Sequence, residues 1–135
     1  MEIVIPKIPP SVNHYNNYRS RNGKIFVANT KETKDFKDDI QKIWSDKYGQ
    51  KPTKEKLEVW IIITFPDNRK RDLDNYSKVL FDSLTGYAWE DDSQIWKLHL
   101  EKKIKKNIKQ VLLKIKPISE ECMKEDEKDK LDTMI

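Results

Sequence analysis

The sequence predicts one compact α/β domain of the α+β kind, with a mixed β-sheet of about four to six strands packed against two main helices. Three observations point there. Short segments of period-two hydrophobic alternation recur along the chain, two stretches between them show helical spacing, and 135 residues is the size of a single ordinary domain. Hydrophobic residues make up 36% and charged residues 37% of the chain, so the core must come from a few strongly patterned segments.

Met1–Ile5 alternates as a strand, and prolines at 6, 9 and 10 end it because proline cannot donate to a ladder. Between Asn13 and Val27, Asn22-Gly23 is the strongest turn signal and predicts a hairpin whose tip carries Arg19, Arg21 and Lys24. From Thr30 to Tyr48, Phe36, Ile40, Ile43, Trp44 and Tyr48 fall on one face of a helix, with Thr30 or Thr33 as the cap and Gly49 and Pro52 as the stop. Leu57–Phe65 reads as a mostly buried strand, with Leu57, Val59, Ile61, Ile63 and Phe65 on one face and Trp60 and Ile62 on the other. A second helix is expected from about Leu73 to Leu84, burying Leu73, Val79, Leu80 and Leu84 and placing Asp74, Lys78 and Asp82 at i, i+4, i+8 on its outer face. A strand from about Gln94 to Lys103 puts Trp96, Leu98 and Leu100 on one face, and a turn near Lys106-Asn107 returns the chain through Val111, Leu113 and Ile115. Residues 1–117 form the expected domain, and 118–135 a charged, aromatic-free tail.

Composition excludes several classes of function. No apolar run approaches the roughly 18 residues of a bilayer span, and the N-terminal stretch lacks signal-peptide character, so a cytoplasmic protein without a membrane partner is expected. One cysteine, Cys122, and two histidines, His14 and His99, supply no zinc-type ligand set. Any metal must be held by oxygen, which favours Mg2+ or Mn2+. Residues 119–135 carry seven carboxylates against three lysines; with a net charge of +4 for the whole chain, the remainder stands at +8, a surplus that suits a nucleic-acid partner.

The chemistry concentrates in RKRDLDNYSKVLFDSLTGYAWEDDSQI, from Arg69 to Ile95. Asp72 and Asp74 sit at a strand-to-helix junction, where a helix N-terminus favours carboxylates; Asp74 also suits a plain N-cap. Asp91 and Asp92 form a second acidic pair, which the intervening helix and its return connection are expected to bring to the same end of the sheet. Converging carboxylates repel one another unless a cation neutralises them. Lys78 lies one turn from Asp74, within reach of a phosphate, and Arg69, Lys70 and Arg71 suit a phosphate substrate better than a calcium-buffering loop. The EF-hand register fails, with Ser77 where glycine is needed and Ser83 where a glutamate belongs. Lys102, Lys103, Lys105 and Lys106 belong to a lysine-rich hairpin that either guards an edge strand or contacts DNA backbone. Trp89 is read either as packing or as stacking on an exposed base, Asp82 as a ligand or as the salt-bridge partner of Lys78, and His14 and Tyr15 as a local polar network.

With those residues in view, the chain resembles the RusA family of Holliday junction resolvases, bacterial and often prophage-encoded. The likeness spans about residues 1–117 and rests on Ile8-Pro9 followed by Asn13-His14-Tyr15, and above all on RDLDNxxKxxxDxL followed by WEDDSQI. It implies a RusA-like fold and a homodimeric, magnesium- or manganese-dependent endonuclease that nicks opposed strands of a four-way DNA junction symmetrically. It further implies catalytic acids at Asp72, Asp74 and Asp92, with Asp91 as the neighbouring acid, and an essential lysine at Lys78. The alternatives are a non-catalytic basic DNA-binding module and a metal-dependent nuclease acting on other nucleic acids. The tail has no counterpart in the family pattern.

Overall fold

The central strand is β4 (Leu57–Phe65), whose Leu57, Val59, Ile61, Ile63 and Phe65 are all 0–1% exposed. In the computed structural model, which describes residues 1–11, 16–21 and 24–118, β4 belongs to a four-stranded mixed sheet. Its neighbours are β1 (Glu2–Ile5), β5 (Ile95–Ile104) and β6 (Gln110–Pro117), in the order β1-β6-β4-β5. The β1/β6 and β6/β4 pairs are antiparallel, and β4/β5 is parallel. β2 (Asn16–Arg21) and β3 (Lys24–Asn29) form the expected hairpin as a separate two-stranded sheet, with Arg21 opposite Lys24. The predicted turn at Asn22-Gly23 lies outside the described residues, as do His14, Tyr15 and the tail from 119.

Helix α1 (Lys31–Tyr48) begins as its sequence directs: Thr30 Oγ1 accepts from the Thr33 backbone N–H at 3.1 Å. It ends at Gly49, whose φ of 73° is left-handed and whose N–H donates to Ser45 O at 2.8 Å. Phe36, Ile40 and Trp44 are buried against one sheet face together with Val79, Leu80 and Leu84 of α2 (Ser77–Leu84), while Ile3, Ile5, Val111, Leu113 and Ile115 complete the core from the outer strands. Truncating a residue such as Ile61 to alanine would cost about 2–5 kcal/mol. Among the described residues no helix is long and apolar enough to cross a membrane.

One expectation changes. The second helix does not run from Leu73 to Leu84: Leu73–Tyr76 is a 3₁₀ turn, and the α-helix is Ser77–Leu84 alone. The Ser77 hydroxyl donates to Asp74 O at 3.1 Å, a local side-chain bond that serine offers in place of a helical one, and the Asn75 backbone N–H closes the turn on Asp72 O at 3.1 Å. Asp74, Lys78 and Asp82 therefore do not share one continuous α-helix. β5 is an edge strand, as one reading of the lysine-rich segment expected. Trp96 and Leu98 are 51% and 43% exposed, and of the predicted trio only Leu100 packs on the core. A register irregularity opposite Leu57/Glu58 leaves Trp96 without a partner residue on β4, and the Lys56 ammonium covers its ring at 4.5 Å.

Candidate metal and nucleic-acid site

β4 stops at Pro66, and the loop that follows is tied back by Arg71. Its guanidinium lies 4.6 Å over the Phe65 ring, meets Asp67 Oδ1 at 2.9 Å and donates to Asp67 O at 3.1 Å. The Asp67 carboxyl is held below the ordinary aspartate range, first by the Arg69 backbone N–H and then by the Arg71 side chain. Arg71 O in turn accepts from Lys102 Nζ at 3.2 Å. This clamp delivers Asp72 and Asp74 to the surface, both exposed. Neither serves as a side-chain cap: Asp72 precedes the 3₁₀ turn without a side-chain capping bond, Asp74 lies inside that turn, and the cap position of α2 is Tyr76.

The second acidic pair is built differently. Asp91 opens a 3₁₀ turn (Asp92–Gln94) with a complete capping box, its carboxylate accepting from Ser93 N–H at 3.2 Å while Gln94 Oε1 accepts from Asp91 N–H at 2.8 Å. Gln94 Oε1 also accepts from Glu90 N–H at 2.9 Å, and Gln94 Nε2 donates to Thr53 O at 2.8 Å and Glu55 O at 2.9 Å. The Ser93 backbone N–H and a bond with Asp92 lower the Asp91 carboxyl pKa. Asp92 moves the other way, raised first by loss of solvent and then by Asp91 and Asp82, with Lys78 offsetting part of the rise. Lys78 Nζ stands 3.7 Å from Asp82 Oδ2.

The structure thus brings Asp91, Asp92, Asp82 and Lys78 into one electrostatic neighbourhood. The sequence reading put both pairs at one end of the sheet. With Leu57 paired to Ile95 and Phe65 to Ile104 in parallel, Asp72 follows the C-terminal end of β4 and Asp92 precedes the N-terminal end of β5. Among the described residues no three carboxylate, imidazole or thiol groups are close enough to hold a metal together. The donor chemistry, carboxylate oxygen without thiolate, suits a hard cation; the acids stand in two groups that a cation would have to draw together.

Trp89 is fully buried, edge-on to Phe81 at 6.2 Å, with Nε1 donating to Thr85 Oγ1 at 3.2 Å. It packs and has no face to offer a base. The cations divide by environment. Arg69, at 81% side-chain exposure, and Lys70, Lys103, Lys105 and Lys106 face solvent, whereas Arg71, at 15%, is spent on the loop clamp. Arg19 and Arg21 lie on β2, and their side chains are outside the described set. A groove of about 810 Å³, lined by Lys7, Lys31, Arg69, Arg71, Lys109 and Tyr76 among others, adjoins a smaller hollow of about 200 Å³ that includes Lys70 and Asp72, the two sharing Ser11, Arg71 and Tyr76.

The sequence model of the family described as Endodeoxyribonuclease RusA matches residues 7–116, a span that takes in both acidic pairs and Lys78. The chain belongs to the RusA endodeoxyribonuclease family. Among RusA relatives, the crossover junction endodeoxyribonuclease of Enterobacteria phage HK97 is 37% identical over 95 residues, covering 69% of this chain and 74% of its own. That of Escherichia coli K12 is 35% identical over 88 residues (64% and 70%), and that of Aquifex aeolicus VF5 is 30% identical over 121 residues (87% and 91%). Sequence reasoning missed two features of this RusA chain. The spacing of Asp91 and Gln94 is itself a capping-box signal, so Gln94 was readable; Lys7 and Lys31 reach the groove only through tertiary structure.

Proposed function

We propose that this protein is a metal-dependent crossover junction endodeoxyribonuclease that resolves four-way DNA junctions by paired symmetric nicks, acting as a homodimer. The observation that carries the reading is the family match across the RDLDNxxK and WEDDSQI segments, set on a chain whose exposed cations border the acids. Asp72, Asp74 and Asp92 would hold Mg2+ or Mn2+, with Asp91 beside them. When bound, the cation supplies Lewis acidity toward the phosphodiester and the attacking water.

The chain's own residues do the rest. Lys78 offers its ammonium to the negative charge that builds on the phosphate, and the Asp91–Gln94 capping box fixes the backbone from which Asp92 projects. Arg69, Lys70, Lys103, Lys105 and Lys106 contact the DNA backbone without reading sequence. A two-fold dimer matches the two-fold symmetry of a junction cut on opposed strands.

The test is nicking of a synthetic four-way junction with Mg2+ or Mn2+. Wild-type protein cuts; Asp72→Asn, which keeps shape and removes a ligand charge, loses more than roughly 100-fold in rate while folding and binding the junction as before. Robust cutting by Asp72→Asn overturns the assignment of the site, and equal rates on linear duplex overturn the junction selectivity.

A further inference from the structure

We infer that the groove walled by the Pro6–Ser11 segment is a DNA-strand subsite, in which Lys31 and Lys109 pair with backbone phosphates and the Tyr76 hydroxyl hydrogen-bonds the phosphate next to Asp72. The inference rests on the nuclease reading above and names where the strand that reaches the acids continues.

Three observations carry it. First, the groove of about 810 Å³ adjoins the hollow of about 200 Å³ that holds Asp72, and Ser11, Arg71 and Tyr76 line both. A phosphodiester seated at Asp72 is one unit of a polymer, so its neighbours need a path away from the acids. The larger cavity supplies that path.

Second, the cations that line the groove come from separate elements. Lys31 opens helix α1, Lys109 immediately precedes β6, and Arg69 stands on the loop after β4. Five cationic side chains stand against three carboxylates, so the lining is net positive. Lys7 and Arg71 are engaged, by Asp39 and Asp67. Lys31 and Lys109 are exposed and make no ion pair among the described residues. Phosphates recur along a strand, and a cavity of this size with cations from three elements suits a strand better than one small anion.

Third, the walls suit a backbone rather than bases. Pro6, Pro9 and Pro10 carry no N–H and have a fixed φ, and Pro9 and Pro10 are buried. Such a wall is preformed, which lowers the cost of binding, and it meets sugars and phosphates without reading sequence. The Tyr76 ring is held edge-on to Phe65 at 5.2 Å, while its hydroxyl is not buried and makes no hydrogen bond among the described residues. A fixed donor thus stands where the two cavities meet.

The experiment measures binding of a fluorescent synthetic four-way junction across a salt series, in EDTA so that nothing is cut, by full-length wild type, Lys31→Ala, Lys109→Ala, Tyr76→Phe and Lys42→Ala. Lys42 is exposed on α1 and does not line the groove. Lys31→Ala and Lys109→Ala each lower the slope of log affinity against log salt by about 1 unit, and Lys42→Ala leaves it as in wild type. Tyr76→Phe removes no charge, so it weakens binding by roughly tenfold at every salt concentration with the slope intact. Unchanged slopes in both groove variants overturn the subsite, as does an equal fall in Lys42→Ala. Wild-type affinity in Tyr76→Phe overturns the hydroxyl contact.

A second readout separates binding from chemistry: single-turnover nicking with Mg2+ at increasing protein concentration. The two lysine variants reach the wild-type rate at saturation and need more protein to do so; a lower saturated rate at unchanged half-saturation overturns the assignment. If wild-type protein binds and nicks junctions while the slopes stay fixed, the groove assignment alone falls. If wild-type protein does neither, the nuclease reading falls with it.

Discussion

Asp91–Gln94 is a closed hydrogen-bonded turn stitched to the chain at Thr53 and Glu55, whereas Leu73–Tyr76 is a single 3₁₀ turn whose leading carboxylate, Asp72, makes no capping bond and whose tether is one residue upstream at Arg71. The first segment holds its acids by its own backbone and the half-buried Gln94 amide. The second holds them at a distance, through a clamp on Phe65 and Asp67. A metal that recruits carboxylates from both finds one group preset and one adjustable, so metal binding should order the Asp72 side more than the Asp92 side.

The strongest way to break this contrast is to remove the preset element. Gln94→Ala deletes both acceptor bonds to the Glu90 and Asp91 amides and both donor bonds to Thr53 O and Glu55 O. The expected result is a loss of about 2 kcal/mol in denaturant unfolding and a fall in metal-dependent nicking of roughly 10-fold or more, the size seen when a supporting residue is lost from a metal site. Gln94→Glu keeps the acceptor and loses the donors, and should fall between. Unaltered nicking by Gln94→Ala would show that the turn does not position Asp92.

Much of the frame could be read directly from the residues. The β4 alternation, the α1 stripe with its Thr30 cap and Gly49 stop, and the β2/β3 hairpin all follow from local pattern, because the side chains that define them lie a few residues apart. What escaped depends on partners distant in the chain. Alternation in β5 grouped Trp96, Leu98 and Leu100, and the lysines offered an edge strand as one reading; which of the three side chains stay exposed, Trp96 and Leu98, is set by the sheet order. The acidic pairs stand out in the sequence by composition and spacing, whereas the end of β4 or β5 that each adjoins is set by the parallel β4/β5 pairing. Trp89 and Arg71 show the same limit. A tryptophan beside acids and an arginine beside acids both suit a DNA site on paper, and the structure commits one to the core and the other to a loop clamp.

That second commitment yields a smaller contrast within the basic triplet. Arg71→Ala should cost about 1 kcal/mol of stability or more, through the lost Phe65 stack and Asp67 pair. Arg71→Lys should not restore it, because lysine has no planar fork. Arg69→Ala, at 81% side-chain exposure, should leave stability unchanged and instead lower the slope of log affinity against log salt by about 1 unit on a four-way junction. If Arg71→Ala changed the salt slope and Arg69→Ala did not, the assignment of the two side chains would be reversed.

The smallest expected effect separates the components of the clamp. Asp67 has its folded-state carboxyl lowered relative to the unfolded chain, so its contribution to stability is complete above the unfolded value and is lost as pH falls through the folded one. The window therefore lies at and below the ordinary aspartate range, and at neutral pH the loop is fully clamped. Because the Arg69 backbone N–H is the larger cause and the Arg71 side chain the next, carboxyl NMR titration should show a midpoint that rises only part of the way in Arg71→Ala, since the backbone bond at 3.1 Å survives the substitution. A midpoint that returns fully to the unfolded value would mean that the guanidinium also holds the Asp67–Arg69 turn in shape.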